Sequence, residues 1–219
     1  MKHLFVGISF FCFSLCSVNA QESSISNIKH EMSFAVSGCT TPLLTKIFFG
    51  GSIDMKYYPT HRWGTGLDFS GAQKIINNTY NFDMGTPIIN YYEIGWLNQY
   101  DFIQTEKFRI GATLNNGIAI SVLADNDDKV EKNGRYGKIY VPRKIASNYL
   151  YIVEPGFEAS YCLYSEKHHP DFYLTTQAKY RFAFGGTKYA DLSDFNGSFV
   201  GLGLSIIGFV DDEPKHINK

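Results

Sequence analysis

The chain has 219 residues, a formal net charge of −1, 19% charged residues and 16% aromatic residues, among them 15 Tyr and 18 Phe. With no basic excess, a nucleic-acid partner is excluded as the main function. An aromatic-rich, charge-poor mix excludes disorder, and its Tyr, Phe and Gly content speaks against a helical bundle.

In chain order, residues 1–20 read as a cleaved signal peptide. Lys2 and His3 precede the apolar run Leu4 to Cys16, and Ser17-Val18-Asn19-Ala20 supplies a cleavage site before Gln21. The run falls short of the roughly 20 residues a spanning helix needs. Cleavage leaves two cysteines, Cys39 and Cys162, far apart in sequence. They are expected at opposite ends of the molecule and unpaired.

Beyond residue 20 the apolar periodicity is two, not 3.6. Met32, Phe34 and Val36 alternate with Glu31, Ser33 and Ser37. Ile53, Met55 and Tyr57 alternate with Ser52, Asp54 and Lys56. Ile110, Ala112 and Leu114 alternate with Arg109, Gly111 and Thr113. The pattern predicts eight strands, over 29–38, 46–58, 62–72, 88–100, 106–123, 148–164, 171–184 and 197–210. Asn115-Asn116-Gly117 interrupts the fifth. The odd-numbered connections come out long and the even-numbered ones short. In an up-and-down meander this places long loops on one rim and tight turns on the other, as in outer-membrane barrels.

The two faces differ in kind. One is apolar and ends in aromatic belts. Tyr57, Trp63, Trp96, Tyr100, Phe108, Tyr161, Phe172 and Phe209 fall near the short-turn rim, with Tyr58 and Phe102 grouped beside them; Tyr92, Tyr151 and Phe182 fall near the other. The second face carries Gly, Ser and Thr with sparse, nearly balanced charges. The acids are Glu31, Asp54, Asp68, Glu93, Glu154 and Glu158; the bases are Lys56, Arg109, Lys179 and Arg181. Small residues suit a narrow barrel interior, and enclosed charges must be paired. The expected fold is therefore an all-β, eight-stranded antiparallel up-and-down transmembrane β-barrel, apolar outside and ionic inside. Its first and last strands must join, because hydrocarbon tolerates no open sheet edge.

The signal, the eight alternating strands, the segment Trp63-Gly64-Thr65-Gly66-Leu67-Asp68-Phe69 and the last strand ending Leu204-Ser205-Ile206-Ile207-Gly208-Phe209 together resemble the small outer-membrane β-barrel proteins of Gram-negative bacteria. OmpX-like and OmpA-transmembrane-like barrels are the simplest of these. The resemblance covers about residues 29–210. It implies an outer-membrane location, contact with lipid and lipopolysaccharide, and handling by the barrel-insertion machinery. Family members usually stop at a terminal aromatic, whereas this chain continues past Phe209 through a polar tail, 211–219. Residues 21–28 then form a short periplasmic segment.

No catalytic, cofactor or metal signature emerges. His61, His168 and His169 fall in turns and His216 in the tail. His30 and Ser33 would point to opposite faces, which is poor geometry for a dyad. Asp125-Asn126-Asp127-Asp128 lacks the glycine and terminal glutamate of a calcium loop and reads as a hydrated loop. The expectation is a non-enzymatic barrel with a closed polar lumen, acting as an envelope element or through external loops at 73–87 and 124–147, where an extracellular ligand could dock. Competing readings are a soluble lipocalin-like barrel for an apolar ligand, a narrow channel and a lipid-modifying barrel enzyme.

Overall fold

A computed structural model describes residues 30–134, 137–166 and 169–210. The signal, the 21–28 segment, the tail, His168 and His216 lie outside the described residues. The chain forms β1 (His30–Leu43), β2 (Lys46–Tyr58), β3 (Trp63–Ile75), β4 (Pro87–Gln104), β5 (Phe108–Gly134), β6 (Gly137–Tyr164), β7 (Asp171–Gly186) and β8 (Gly197–Val210), with a 3₁₀ turn at Leu192–Phe195 before β8. Each strand pairs antiparallel with the next, and β1 closes on β8 through pairs such as Phe34 with Ile206. Closure gives every rung a partner strand, which is what lipid demands.

The orientation question is decided by exposure. Val36, Ile94, Ile118, Leu202 and Leu204 are each about half exposed, and Phe34 and Leu174 only slightly less. Meanwhile Asp54, Lys56, Asp68, Glu154 and Arg181 are almost completely buried. An apolar exterior around an ionic interior inverts a water-soluble barrel and fits a lipid solvent.

Three local expectations are corrected. The first connection is not long: Leu44 and Thr45 alone join β1 to β2, at φ of 52° and 61°. Such left-handed pairs usually require Gly, Asn or Asp. Here tertiary contacts hold them, since the Leu44 N–H donates to the Asp194 carbonyl at 2.8 Å and the Leu44 side chain is buried. Asn115-Asn116-Gly117 does not break β5; all three pair with both neighbouring strands. Finally, 124–147 is not a loop. After irregularities at Leu123/Ala124 and Asp125/Lys129, β5 and β6 continue as a two-stranded ribbon, pairing Val130 with Val141 and Lys132 with Ile139. Polar side chains dominate both its faces, so no buried side creates the contrast that marks a strand.

Candidate functional site

The barrel interior has two tiers. In the lower one, toward the short turns, the structure places all ten charged residues singled out above inside the wall. Starting at the rim, His61 Nδ1 lies 3.2 Å from Glu31 Oε1. Arg109 donates to Glu31 at 2.8 Å and to Asp101 at 3.0 Å, with its guanidinium 4.6 Å from the Tyr58 ring centre. Gln99 bridges Asp101 and Lys56 at 2.6 and 2.8 Å, and Lys56 grips both Glu158 oxygens at 2.6 and 2.7 Å. Gln177 links Glu158 to Asp54. Higher up, Lys179 pairs with Asp68. Arg181 donates to Glu154 at 2.8 Å, Glu93 at 3.0 Å and Thr41 at 3.2 Å, over the Tyr91 ring.

The small residues on this face have a direct use. A Cβ on Gly64 would come within 2.7 Å of the Tyr58 ring, so glycine makes room for that ring inside the wall. Tyr58 therefore does not belong to the lipid-facing belt with Tyr57; successive strand residues point to opposite sides, and Tyr58 is 1% exposed. Asp101 escaped the sequence reading because the predicted fourth strand stopped at residue 100. The real strand runs to Gln104, with a bulge between Asp101 and Ile103.

The upper tier is apolar. Phe48, Ile89, Leu123, Leu150 and Ile152 fill the barrel below Leu44, Ile76, Tyr189 and Phe195 from the loops. Tyr80, Phe82 and Met84 pack against them. Polar contacts pin the edges of this cap: Tyr189 OH meets Ser121 Oγ at 2.6 Å, Asn148 donates to the Tyr189 carbonyl at 3.0 Å and accepts the Lys188 N–H at 2.7 Å, and Asn196 accepts the Ala183 N–H at 2.7 Å. The expectation of a polar lumen thus holds for one half only. Ionic residues occupy one half and a hydrophobic core the other.

Outside, aromatic rings pair across neighbouring strands. Trp63 meets Tyr100 at 6.4 Å, Phe108 meets Tyr161 at 5.0 Å and Tyr164 meets Phe172 at 6.3 Å toward the short turns. Further up, Tyr151 meets Phe184 at 6.3 Å across β6 and β7, and Tyr180 meets Phe182 at 4.9 Å two positions along β7 itself. Tyr57 and Tyr92 are exposed as well. Trp96 is also exposed but sits midway along β4, beside Leu67 and Asn116, and not at a rim. Phe209 pairs through its backbone with Glu31; its side chain lies outside the described residues. Cys39 and Cys162 are free, near opposite ends of the barrel.

This is the architecture of a transmembrane β-barrel, closed, apolar outside and ionic within. No family model and no curated protein matches the chain. Among solved structures it is similar to Ail, the attachment invasion locus protein of Yersinia pestis, at 12% identity over 84% of this chain and 100% of that one, with a TM-score of 0.47. Neisserial surface protein A aligns at 12% identity over 81% of this chain and 95% of its own, with a TM-score of 0.48. A major outer membrane protein of Thermus thermophilus aligns at 12% identity over 82% of this chain and 99% of its own, with a TM-score of 0.46.

A vestibule of about 800 Å³ at the short-turn mouth is lined by Glu31, His61, Glu106, Lys107, Arg109 and Asp171, among others. At the other end Asp125 ties the base of the ribbon to the 76–86 loop. Its carboxylate accepts the N–H groups of Gly85 at 3.0 Å, Thr86 at 3.2 Å and Asp127 at 3.1 Å. These donors, Gly85 foremost, hold its pKa below the usual carboxylate range. The acidic cluster is therefore a loop staple and not a freely hydrated segment.

Proposed function

We propose that the protein is a plugged, non-enzymatic outer-membrane barrel whose working part is the external ribbon of β5 and β6. The observation that carries this reading is the filled interior. Among the described residues, ion pairs occupy the lower half and a hydrophobic core with its loop cap the upper half, which supports a lumen without a continuous wet path. Eight strands leave room only for side chains in any case.

The ribbon has the character of a recognition element. Between residues 129 and 144 the sequence holds Lys129, Lys132, Arg135, Lys138, Arg143 and Lys144 against a single acid, Glu131. Lys138 is neutralised by Glu131 at 2.7 Å and Arg143 by Asp128 at 2.5 Å. Lys129, Lys132 and Lys144 are exposed and have no ion-pair partner among the described residues. Ile139 and Tyr140 stand beside them, 51% and 65% exposed. An isolated two-stranded ribbon is only marginally stable in water, and unpaired cations flanking an aromatic suit an acidic saccharide chain of the cell surface.

Planar bilayers containing the full chain are expected to show no channel conductance above the lipid baseline; steady unitary currents would refute the plug. The folded protein should also be retained on immobilised dextran sulfate. A Lys129→Ala, Lys132→Ala, Lys144→Ala variant should elute at clearly lower salt, since each lost phosphate- or sulfate-type contact lowers the salt dependence of binding. Unchanged elution would remove the ribbon from the reading.

A further inference from the structure

The midsection of the lumen is left electrically unbalanced. Asp54, Asp68, Glu93 and Glu154 are four acids, each at most 5% exposed. The bases among them are Lys179, held by Asp68, and Arg181, held by Glu93 and Glu154. The next cation, Lys56, is bound to Glu158. With all groups ionised, this layer carries two negative charges in excess, inside a wall surrounded by hydrocarbon, where unpaired charge is costly.

The excess is localised on particular atoms. Among the described residues Asp54 Oδ1, Asp68 Oδ1 and Glu93 Oε1 are buried and accept no hydrogen bond. Asp54 and Asp68 are register partners on β2 and β3. Carboxylates directly opposite one another repel unless something positive lies between them. One oxygen each from Asp68, Glu93 and Glu154 falls within 4.8 Å of the others. That is the span across a calcium ion whose oxygen ligands sit about 2.3–2.6 Å from its centre.

A neutral group independently points to the same spot. Asn115 is 0% exposed and donates its amide N–H to Glu154 at 3.1 Å, yet its Oδ1 has no partner among the described residues. That oxygen lies against the inner side of Gly95, so closely that a Cβ there would collide with it, and Gly95 is the register partner of Asp68. A buried amide oxygen left without a donor is a cost where it stands. Toward a cation it is a fourth oxygen ligand.

We propose that the lumen holds one hard divalent cation, calcium or magnesium, between Asp68, Glu93, Glu154 and the Asn115 carbonyl, with Asp54 facing it across the strand pair. One such ion cancels the two excess charges. It sits where β3, β4, β5 and β6 converge, so it would fasten half the wall together from inside. The proposal does not depend on what the ribbon binds.

The test uses the full chain folded into detergent micelles with calcium, with magnesium or with EDTA. After removal of free metal, the retained ion is measured by elemental mass spectrometry. One equivalent per chain is expected with at least one of the two metals, along with a higher unfolding midpoint than in EDTA. Asp68→Asn combined with Glu93→Gln should lower the retained metal at least tenfold. Asp127→Asn combined with Asp128→Asn, at the external loop, should leave it unchanged. If wild-type protein retains no metal above buffer and its midpoint is the same in EDTA, protons and not a cation neutralise the cluster and the proposal fails. It fails equally if the loop variant loses the ion while the lumen variant keeps it. The wild-type comparison needs no mutant, so a lumen variant that cannot fold leaves the question answerable.

Discussion

The two halves of the barrel interior solve the same problem by opposite means. The lower half is filled with charges that must find partners, and the partners are remote in sequence. Lys56 meets Glu158 across 102 positions, Arg181 meets Glu93 across 88, and Arg109 meets Glu31 across 78. Each pair ties strands that are not neighbours, because a charge in the lumen can reach across its axis. The upper half is filled by Phe48, Ile89, Leu123, Leu150 and Ile152, which make contacts without direction. Ionic filling fixes which strands face one another; apolar filling fixes only that something covers it. This explains why the loops gather over the apolar half, with Phe195 and Tyr189 sealing it, while the ionic half opens into a vestibule.

The contrast predicts unequal responses to truncation. Arg181→Ala should be the most damaging change. It leaves Glu93 and Glu154 buried without their cation, a class of loss that costs about 3–5 kcal/mol. Arg109→Ala should cost less than Arg181→Ala. Arg109 borders the vestibule, where water can replace it, and His61 remains beside Glu31. Urea unfolding of the two variants in the same detergent compares them directly. Equal midpoints would mean that depth in the lumen does not set the cost.

In the apolar half the largest single change is Phe195→Ala. A fully buried aromatic truncated in a packed site costs about 3–5 kcal/mol, and the low end is expected here because the cap is made of loops that can settle. The loss should also be local. Amide exchange should quicken at Leu44, whose N–H is held by the Asp194 carbonyl next to Phe195 in the chain. The rungs around Lys56 and Glu158 should keep their protection. A uniform loss of protection throughout the barrel would erase the distinction between the tiers.

The difference between the tiers also governs what the sequence discloses. Alternation is legible where one face is polar. Met32, Phe34 and Val36 against Glu31, Ser33 and Ser37 announce both a strand and its facing, which is why the ionic tier could be named residue by residue. In the upper tier both faces are apolar. Ile47-Phe48-Phe49, Ile88-Ile89 and Leu150-Tyr151-Ile152 offer no contrast, so Phe48, Ile89 and Ile152 gave no sign of pointing inward. The Leu44-Thr45 turn carries no turn residue because its backbone is set by Asp194, about 150 positions away. The ribbon is the reverse case, largely polar on both sides. Asp101 could have been found: Tyr100 and Phe102 face out on either side of it, and extending the strand by one residue brings it in. The orphaned oxygens of Asp54, Asp68 and Asn115 are beyond any pattern, since they depend on how side chains from four strands meet at one height.

The smallest expected effect lies above both tiers and sharpens the comparison between them. The 76–86 loop sends Phe82 and Met84 onto the apolar core, but a carboxylate holds its end. Asp125 accepts the Gly85 and Thr86 N–H groups, and these donors depress its pKa. A carboxyl that binds a proton less readily folded than unfolded contributes its full stabilisation above the unfolded value, about 4, and loses it as pH falls through the depressed folded value. Protection factors of the Gly85 and Thr86 amides, corrected for intrinsic exchange, should therefore drop as pH is lowered toward about 3. Those of the Phe34–Ile206 rung should hold, because they rest on the ladder alone. Asp125→Asn should give protection that is weaker at neutral pH and insensitive to acid. If wild-type Gly85 and Thr86 stay equally protected across that range, hydrophobic contact by Phe82 and Met84 holds the loop by itself, and the cap needs no directed bond at all.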